Sequence, residues 1–97
     1  MIVSFGDQAT DDLYHGRSTS RSRRFPEDVV AQALLKLDML NAAHRLLDIA
    51  SPPGNRLEVL KGELKGFHSI RVNEKWRVVF RWENDSAHDA RLLDYHG

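Results

Sequence analysis

The sequence predicts a small α+β domain in which an N-terminal strand and two helices precede an antiparallel sheet of three or four strands. In the first half of the chain, apolar residues recur every three or four positions, as on one face of a helix. In the second half they alternate with polar residues, as in a strand with one face on a core. Because the helical pattern precedes the strand pattern, we expect the helices to cover one face of the sheet.

Size and composition limit the class of protein. At 97 residues the chain is expected to form one domain, residues 1–97, near the lower limit for folding around a single apolar core. It has no cysteine, which excludes disulfides and thiolate metal sites. No apolar run approaches the roughly 20 residues that span a bilayer, and the start lacks the pattern of a secretory signal. We therefore expect a cytoplasmic protein that makes no membrane contact.

The first half contains the short strand and both helices. Residues 2–5 are apolar and too few for a helix. Asp7 occupies an N-cap position ahead of a short helix, with Gly16 as its stop. Pro26, followed by two acidic residues, predicts the start of a long helix that continues to about Leu47. The apolar face of this helix is expected to comprise Val30, Ala33, Leu34, Leu37, Leu40 and Leu47.

The second half is predicted to be strand. The expected strands are residues 57–60, 67–72, 75–82 and 90–95, with turns at 61–62, 73–74 and 84–86. In the third of these strands, Trp76, Val78, Phe80 and Trp82 should face the core, while Arg77, Val79 and Arg81 should point to the opposite face. The aromatic residues of this strand are interpreted as core and not as platforms for stacking nucleic-acid bases.

Charge is balanced in sum but uneven along the chain. The 14 basic and 14 acidic residues cancel, which argues against a general DNA-coating protein. Basic residues collect in 17–24 and 61–81 and acidic residues in 7–12 and 83–94, so we expect a basic side and an acidic side. Residues 17–25 have almost nothing to bury and predict a mobile basic loop. The candidate RNA-binding residues are Arg17, Arg21, Arg23, Arg24, Lys65, Lys75 and Arg81.

No cofactor or metal is expected, since the five histidines include no close pair.

Several segments resemble the HigB-type toxins of the RelE/ParE superfamily. They are the MIVSF opening, SRRFP, LxxLNAA, PPGNRLEVLKG, the SIRVNEKWRVVFRW hairpin and the closing DYH, in order and over nearly the whole chain. The resemblance implies a RelE-like microbial RNase fold in a toxin of the bacterial cytoplasm. It further implies a metal-independent, ribosome-dependent endoribonuclease that cleaves messenger RNA in the A site. The implied partners are a HigA-type helix-turn-helix antitoxin, the 70S ribosome and its messenger RNA, with operator DNA contacted only through the antitoxin.

The resemblance also implies active-site residues, namely Lys61, Arg77, Tyr95 and His96. Arg77 is expected to stabilise the negative charge that the phosphate gains during attack by the 2′-OH. Lys61 would either hold the scissile phosphate or ease removal of the 2′-OH proton. The sequence leaves open whether His96, with an ordinary pKa near about 6.5, or Tyr95 carries a proton.

Glu58 departs from the family pattern, because some HigB proteins have a histidine at this position. A glutamate here either acts as a base or forms a salt bridge with Lys61 or Arg77, and the sequence leaves both interpretations open. The alternative function is that of a ParE-like toxin, which inhibits DNA gyrase without cutting nucleic acid. The joint presence of Lys61, Arg77, Tyr95 and His96 favours the ribonuclease.

Overall fold

The computed structural model describes residues 1–94. Its helices are Gln8–Tyr14 (α1), Glu27–Ala42 (α2) and Leu46–Ile49 (α3), and its strands are Glu58–Val59 (β1), His68–Arg71 (β2), Trp76–Glu83 (β3) and Ser86–Asp94 (β4). Single 3₁₀ turns lie at Ser22–Arg24, Pro53–Asn55 and Gly62–Leu64. The strands form one antiparallel sheet in the order β1-β2-β3-β4. The predicted α+β fold with four sheet strands is confirmed.

The N-terminal segment, residues 2–5, lies along the outer edge of β4. It pairs in parallel through two bridges, one from Ile2 to Ala87 and one from Phe5 to Ala90. The Val3 N–H donates to the Ala87 carbonyl at 2.8 Å. The predicted strand is therefore found as a bridged extended segment, and it joins the start of the chain to β4.

The core lies between α2 and one face of the sheet. Ala33, Leu37 and Leu40 of α2 pack against the apolar row of β2 to β4, which comprises Ile70, Val78, Phe80 and Leu92. Trp76 and Trp82 pack half-buried against this cluster. The predicted alternation along β3 is confirmed, because its even-numbered residues face the helix.

The long helix is shorter than its apolar pattern predicts. It ends at Ala42, Ala43 has an extended backbone, and Leu47 is 70% exposed. A separate helix, α3, begins there because the Asp48 carboxylate accepts hydrogen bonds from the N–H groups of His44 and Arg45 at 3.0 and 2.9 Å. The prediction of a helix continuing to Leu47, with Leu47 on its apolar face, is therefore wrong.

The basic segment after α1 is structured around Asp12, whose side chain is only 2% exposed. Its carboxylate accepts hydrogen bonds from Gln8 Nε2 at 2.9 Å, Arg17 Nε at 2.9 Å and Thr19 Oγ1 at 2.8 Å. These bonds hold the pKa of Asp12 well below its ordinary value, and Arg21 adds an ion pair at 3.5 Å. The prediction of a mobile loop is wrong, because a buried carboxylate organises the segment.

β4 contains a bulge that brings an acidic residue to an arginine. The register shifts between Val79 and Arg81, and Asp89 on the bulged strand has φ of 54°. The Arg81 guanidinium contacts Asp89 Oδ2 at 2.7 Å and Glu83 Oε1 at 2.7 Å. Arg17 and Arg21 also pair with aspartates, so part of each predicted basic segment lies against acidic residues.

Within residues 1–94, no helix is both long enough and apolar enough to cross a membrane.

Candidate active site on the outer face of the sheet

The face of the sheet that points away from α2 carries a patch of charged side chains, and we call it the outer face. Strand register places two rows of residues across it. One row runs from Glu58 through Ser69 and Val79 to Arg91, and the next contains Arg71, Arg77 and Leu93. Ser69 and Val79 are fully buried, so the charged side chains surround two residues that solvent does not reach.

Arg77 forms an ion pair with Glu58 across two strands. Its Nη1 lies 3.3 Å from Glu58 Oε1, and the arginine side chain is only 15% exposed while the glutamate is 49% exposed. Of the interpretations left open for Glu58, the structure therefore shows the salt bridge with Arg77. The arginine side chain is therefore largely buried and held by a half-exposed carboxylate.

Arg71 lies directly opposite Arg77 on the neighbouring strand. Like charges in this position repel each other unless an anion lies between them. Planar guanidinium groups bind phosphate oxygens in pairs, so two of them on neighbouring strands suit an anionic group.

Sequence reasoning missed Arg71 as a site residue. The signal was the hairpin itself, since the true turn centres on Glu74 and places residues 71 and 77 at equal distances from it. A turn assigned to residues 73–74 shifts this pairing by one.

Lys61 lies beyond the end of β1, three residues after Glu58. The Leu60 N–H donates to the Phe67 carbonyl at 2.9 Å, and Lys61 follows as the exposed residue that precedes the Gly62–Leu64 turn. Arg71 is four residues further along β2 than Phe67, about 13 Å in the strand direction. Lys61 and Arg77 therefore mark two cationic positions on the molecule.

The position of Glu58 is fixed from the core. Lys36 of α2 is buried and its Nζ donates to Asn55 Oδ1 at 2.5 Å. Asn55 is also buried and donates from Nδ2 to the Ile49 carbonyl at 3.0 Å. Arg56 then adopts a left-handed backbone, with φ of 46°, that turns the chain into β1. The hydrogen bond between α2 and the turn therefore orients the strand that carries Glu58.

The other predicted site residues fall into three groups. The exposed cationic residues are Arg23, Arg24, Lys65 and Lys75. The arginines already paired with acids are Arg17, Arg21 and Arg81. Tyr95 and His96 lie outside the described residues; the last described residue, Asp94, is opposite Trp76, next to the row of Arg77. In residues 1–94, no three histidine, aspartate or glutamate side chains are grouped as metal ligands would be.

A family model described as the RelE-like toxin of the type II toxin–antitoxin system HigB matches residues 3–96. The chain belongs to the HigB-like toxin family. It is 39% identical over 96 residues to Toxin HigB-1 of Vibrio cholerae serotype O1, covering 99% of this chain and 98% of that protein. It is 32% identical over 66 residues to Endoribonuclease HigB of Proteus vulgaris, covering 62% of this chain and 72% of the relative. This HigB-like protein is thus a toxin of a type II module.

Solved structures confirm the RelE-like fold. The YoeB–YefM complex from Staphylococcus aureus contains a chain that matches with a TM-score of 0.60 at 16% identity, covering 100% of this chain and 99% of that one. The YoeB/ParE toxin from Agrobacterium tumefaciens matches with a TM-score of 0.50 at 19% identity, covering 96% and 99%. At these identities the likeness concerns the fold alone.

Proposed function

We propose that this HigB-like toxin is a ribosome-dependent endoribonuclease that cleaves messenger RNA in the ribosomal A site. The observation that carries the proposal is the placement of Arg71 and Arg77 opposite each other on the outer face, with Glu58 at 3.3 Å from Arg77. A similar protein of Proteus vulgaris bears the name Endoribonuclease HigB, which supports the same activity here.

The proposed reaction is attack by a ribose 2′-OH on the adjacent phosphate. The 2′-oxygen forms a bond to phosphorus, the bond from phosphorus to the 5′-oxygen breaks, and the products are a 2′,3′-cyclic phosphate and a 5′-OH. The phosphate gains negative charge in the transition state. Arg77, prepositioned by Glu58, and Arg71 would stabilise that charge without having to reorganise.

Two protons must move in this reaction, one from the 2′-OH and one to the departing 5′-oxygen. The candidate proton carriers are Glu58, Tyr95 and His96, with Lys61 as a phosphate or proton-assisting group. Because Glu58 is already bound to Arg77, proton removal by Glu58 would require this ion pair to loosen as the phosphate arrives. Ribosomal positioning of the RNA would compensate for modest acid–base machinery.

The proposed partner in the module is a HigA-type antitoxin with a helix-turn-helix domain, which neutralises the toxin and contacts operator DNA itself. That a chain of the same fold occurs in a complex named for YoeB and YefM supports a protein antitoxin as partner. Its other proposed partners, the 70S ribosome and messenger RNA, place the toxin in the bacterial cytoplasm. No metal or cofactor takes part in the proposed reaction.

Primer extension on a defined message in a translating extract tests the proposal, with a ribosome-free control. We expect cuts within codons that require ribosomes, and a loss of about 100-fold or more in Arg77→Ala. The matched control is Arg45→Ala, which removes the same charge from a residue that is 73% exposed at the start of α3. Arg45→Ala should cut like the unmodified toxin.

Two results would contradict the proposal. Equal cutting by Arg77→Ala and Arg45→Ala would show that the active site does not lie on the outer face. Intact message together with arrested growth and inhibited supercoiling by DNA gyrase would identify the ParE-like activity instead.

A further inference from the structure

The outer face contains a cavity of about 350 Å³ beyond the arginine pair. It is lined by Phe5, Gly6, Leu64, Phe67, Asp89 and Arg91. Two aromatic rings and a leucine supply apolar walls, and a guanidinium group and a carboxylate supply polar ones. Cavities of this size with a few convergent polar groups are typical of sites for small ligands.

The cavity lies on the same face as the proposed active site. Arg91 is directly opposite Val79, which is two residues along β3 from Arg77. Arg91 is therefore displaced by about 7 Å in the strand direction from the arginine pair. A single RNA strand whose phosphate contacts Arg77 would place a neighbouring nucleotide over this part of the sheet.

The walls of the cavity are fixed by close packing between the N-terminal segment and β4. A Cβ atom at Gly6 would lie 2.7 Å from the Asp89 carbonyl oxygen and 3.3 Å from Arg91 Cδ. Asp89 is held by Arg81 at 2.7 Å and directs its carboxylate to that residue. Within residues 1–94, no carboxylate forms an ion pair with Arg91.

The charges around the cavity favour an anionic occupant. Lys61 and Lys65, both exposed, flank the Gly62–Leu64 turn that supplies Leu64 to the wall. Aromatic rings and arginine planes stack on nucleobases, and lysines around them attract the phosphates. An apolar side chain of a protein partner would contact the aromatic rings but would gain nothing from the two lysines.

We propose that this cavity binds one base of the messenger RNA next to the cleaved step, with Phe67 and Arg91 as the stacking residues. Because Arg81 contacts Asp89 through Oδ2, the other oxygen, Oδ1, would accept a hydrogen bond from an amino group on the base edge, so the cavity would contribute to codon preference. The inference rests on the proposed function and adds a base-binding subsite to it.

A cleavage map of a message that contains every codon tests this subsite, using Phe67→Leu and Arg91→Lys. Phe67→Leu keeps an apolar wall but loses the ring, and Arg91→Lys keeps the charge but loses the plane. We expect cutting at the preferred codons to fall about ten-fold in each variant, with a small change elsewhere, so that the preference flattens. Phe25→Leu removes a ring that packs on Trp76 and does not line the cavity, and it should leave the preference unchanged.

A second measurement does not need the ribosome. Amide NMR spectra of the full chain are recorded during titration with AMP, GMP, CMP and UMP. We expect chemical-shift changes at Gly6, Phe67 and Arg91. In Phe67→Leu these changes should saturate at a nucleotide concentration about ten-fold higher. If the unmodified toxin cuts no message, the proposed function fails, while this titration still decides the subsite. Should Phe67→Leu lose its folded spectrum, Arg91→Lys on the sheet surface carries the comparison.

The inference is overturned if nucleotides leave the signals of the cavity unmoved and both variants keep the codon preference. It is equally overturned if the variants lose antitoxin binding while their codon preference stays the same, since the cavity would then serve a protein contact.

Discussion

Two arginine-containing regions of this toxin place their charges in different environments. In residues 17–24, Arg17 and Arg21 pair with Asp12, a carboxylate that the fold has buried. On the outer face, Arg71 and Arg77 lie opposite each other, and Arg77 pairs with the half-exposed Glu58. The first region uses its charge to organise the chain, whereas the second is the surface proposed to bind the phosphate. A basic run therefore predicts a binding surface only when the acids that fold against it are known.

The largest expected difference between the regions is in cleavage. Arg71→Ala combined with Arg77→Ala should lower ribosome-dependent cutting by about 1000-fold, because the transition state would lose both charge-stabilising groups. Arg17→Gln combined with Arg21→Gln should change it by less than about three-fold, because these residues act on the fold. Primer extension at 25 °C gives both values. Equal losses in the two double variants would mean that the comparison does not hold.

Arg71→Ala alone distinguishes the contributions of the two arginines on the outer face. We expect a loss of about ten-fold in cutting, smaller than for Arg77→Ala, because Arg77 has the fixed position beside Glu58. Arg71→Lys should restore part of the rate, since it returns the charge without the planar fork. If Arg71→Ala cuts at the full rate, the pair reduces to a single functional arginine.

The Tm should respond in the opposite order, with a larger change for a substitution at Asp12 than for one on the outer face. Asp12→Asn removes a buried charge and replaces one of the two acceptor oxygens, which together accept three side-chain hydrogen bonds, with an NH2 donor; we expect its Tm to fall by about 5–10 °C. Glu58→Gln changes an ion pair whose acid is half-exposed and should move the Tm by less than about 2 °C. Thermal unfolding followed by circular dichroism measures both. A larger shift for Glu58→Gln would show that the outer face carries a structural charge as well.

The smallest expected effect is in the pH dependence of that stability. The pKa of Asp12 lies below its ordinary value of 3.8 in the folded chain, so its contribution is fully present above about pH 4 and is lost as the pH falls through the folded pKa. The Tm difference between the unmodified toxin and Asp12→Asn should therefore be constant at neutral pH and shrink below pH 4. A Tm difference that stays constant down to pH 2 would show that protonation of Asp12 does not cause the loss of stability in acid.

Much of the fold follows from local patterns. The alternation along β3 correctly predicts that Val78 and Phe80 face the core, because the period of a strand is independent of its partners. Asp7 caps α1 as predicted, because its side chain accepts a hydrogen bond from the Thr10 N–H at 2.8 Å. The prediction that Arg77 leaves the core-facing row also follows from the same period, and the structure confirms it.

The rest depends on contacts between distant residues. No glycine or proline marks the end of α2, and the break comes from Asp48, whose side chain reaches back to the N–H groups before α3. The sequence around Asp89 does not predict the bulge, because the left-handed backbone of a non-glycine residue depends on its surroundings. The pairing of Glu58 with Arg77 requires strand register, which the hairpin turn alone did not specify. The sequence therefore offered the Glu58–Arg77 pair only as one of several alternatives and did not indicate Arg71.

The bridges between the N-terminal segment and β4 also bear on how the chain folds during synthesis. Ile2 pairs with Ala87, so residues 2–5 have no strand to join until the ribosome has made nearly the whole domain. Until then the partial chain exposes apolar residues and an unpaired strand edge, which favour aggregation and attract chaperones. The first segment of the chain therefore completes the fold last, whereas the hairpin that carries Arg71 and Arg77 has both of its strands before β4 is made.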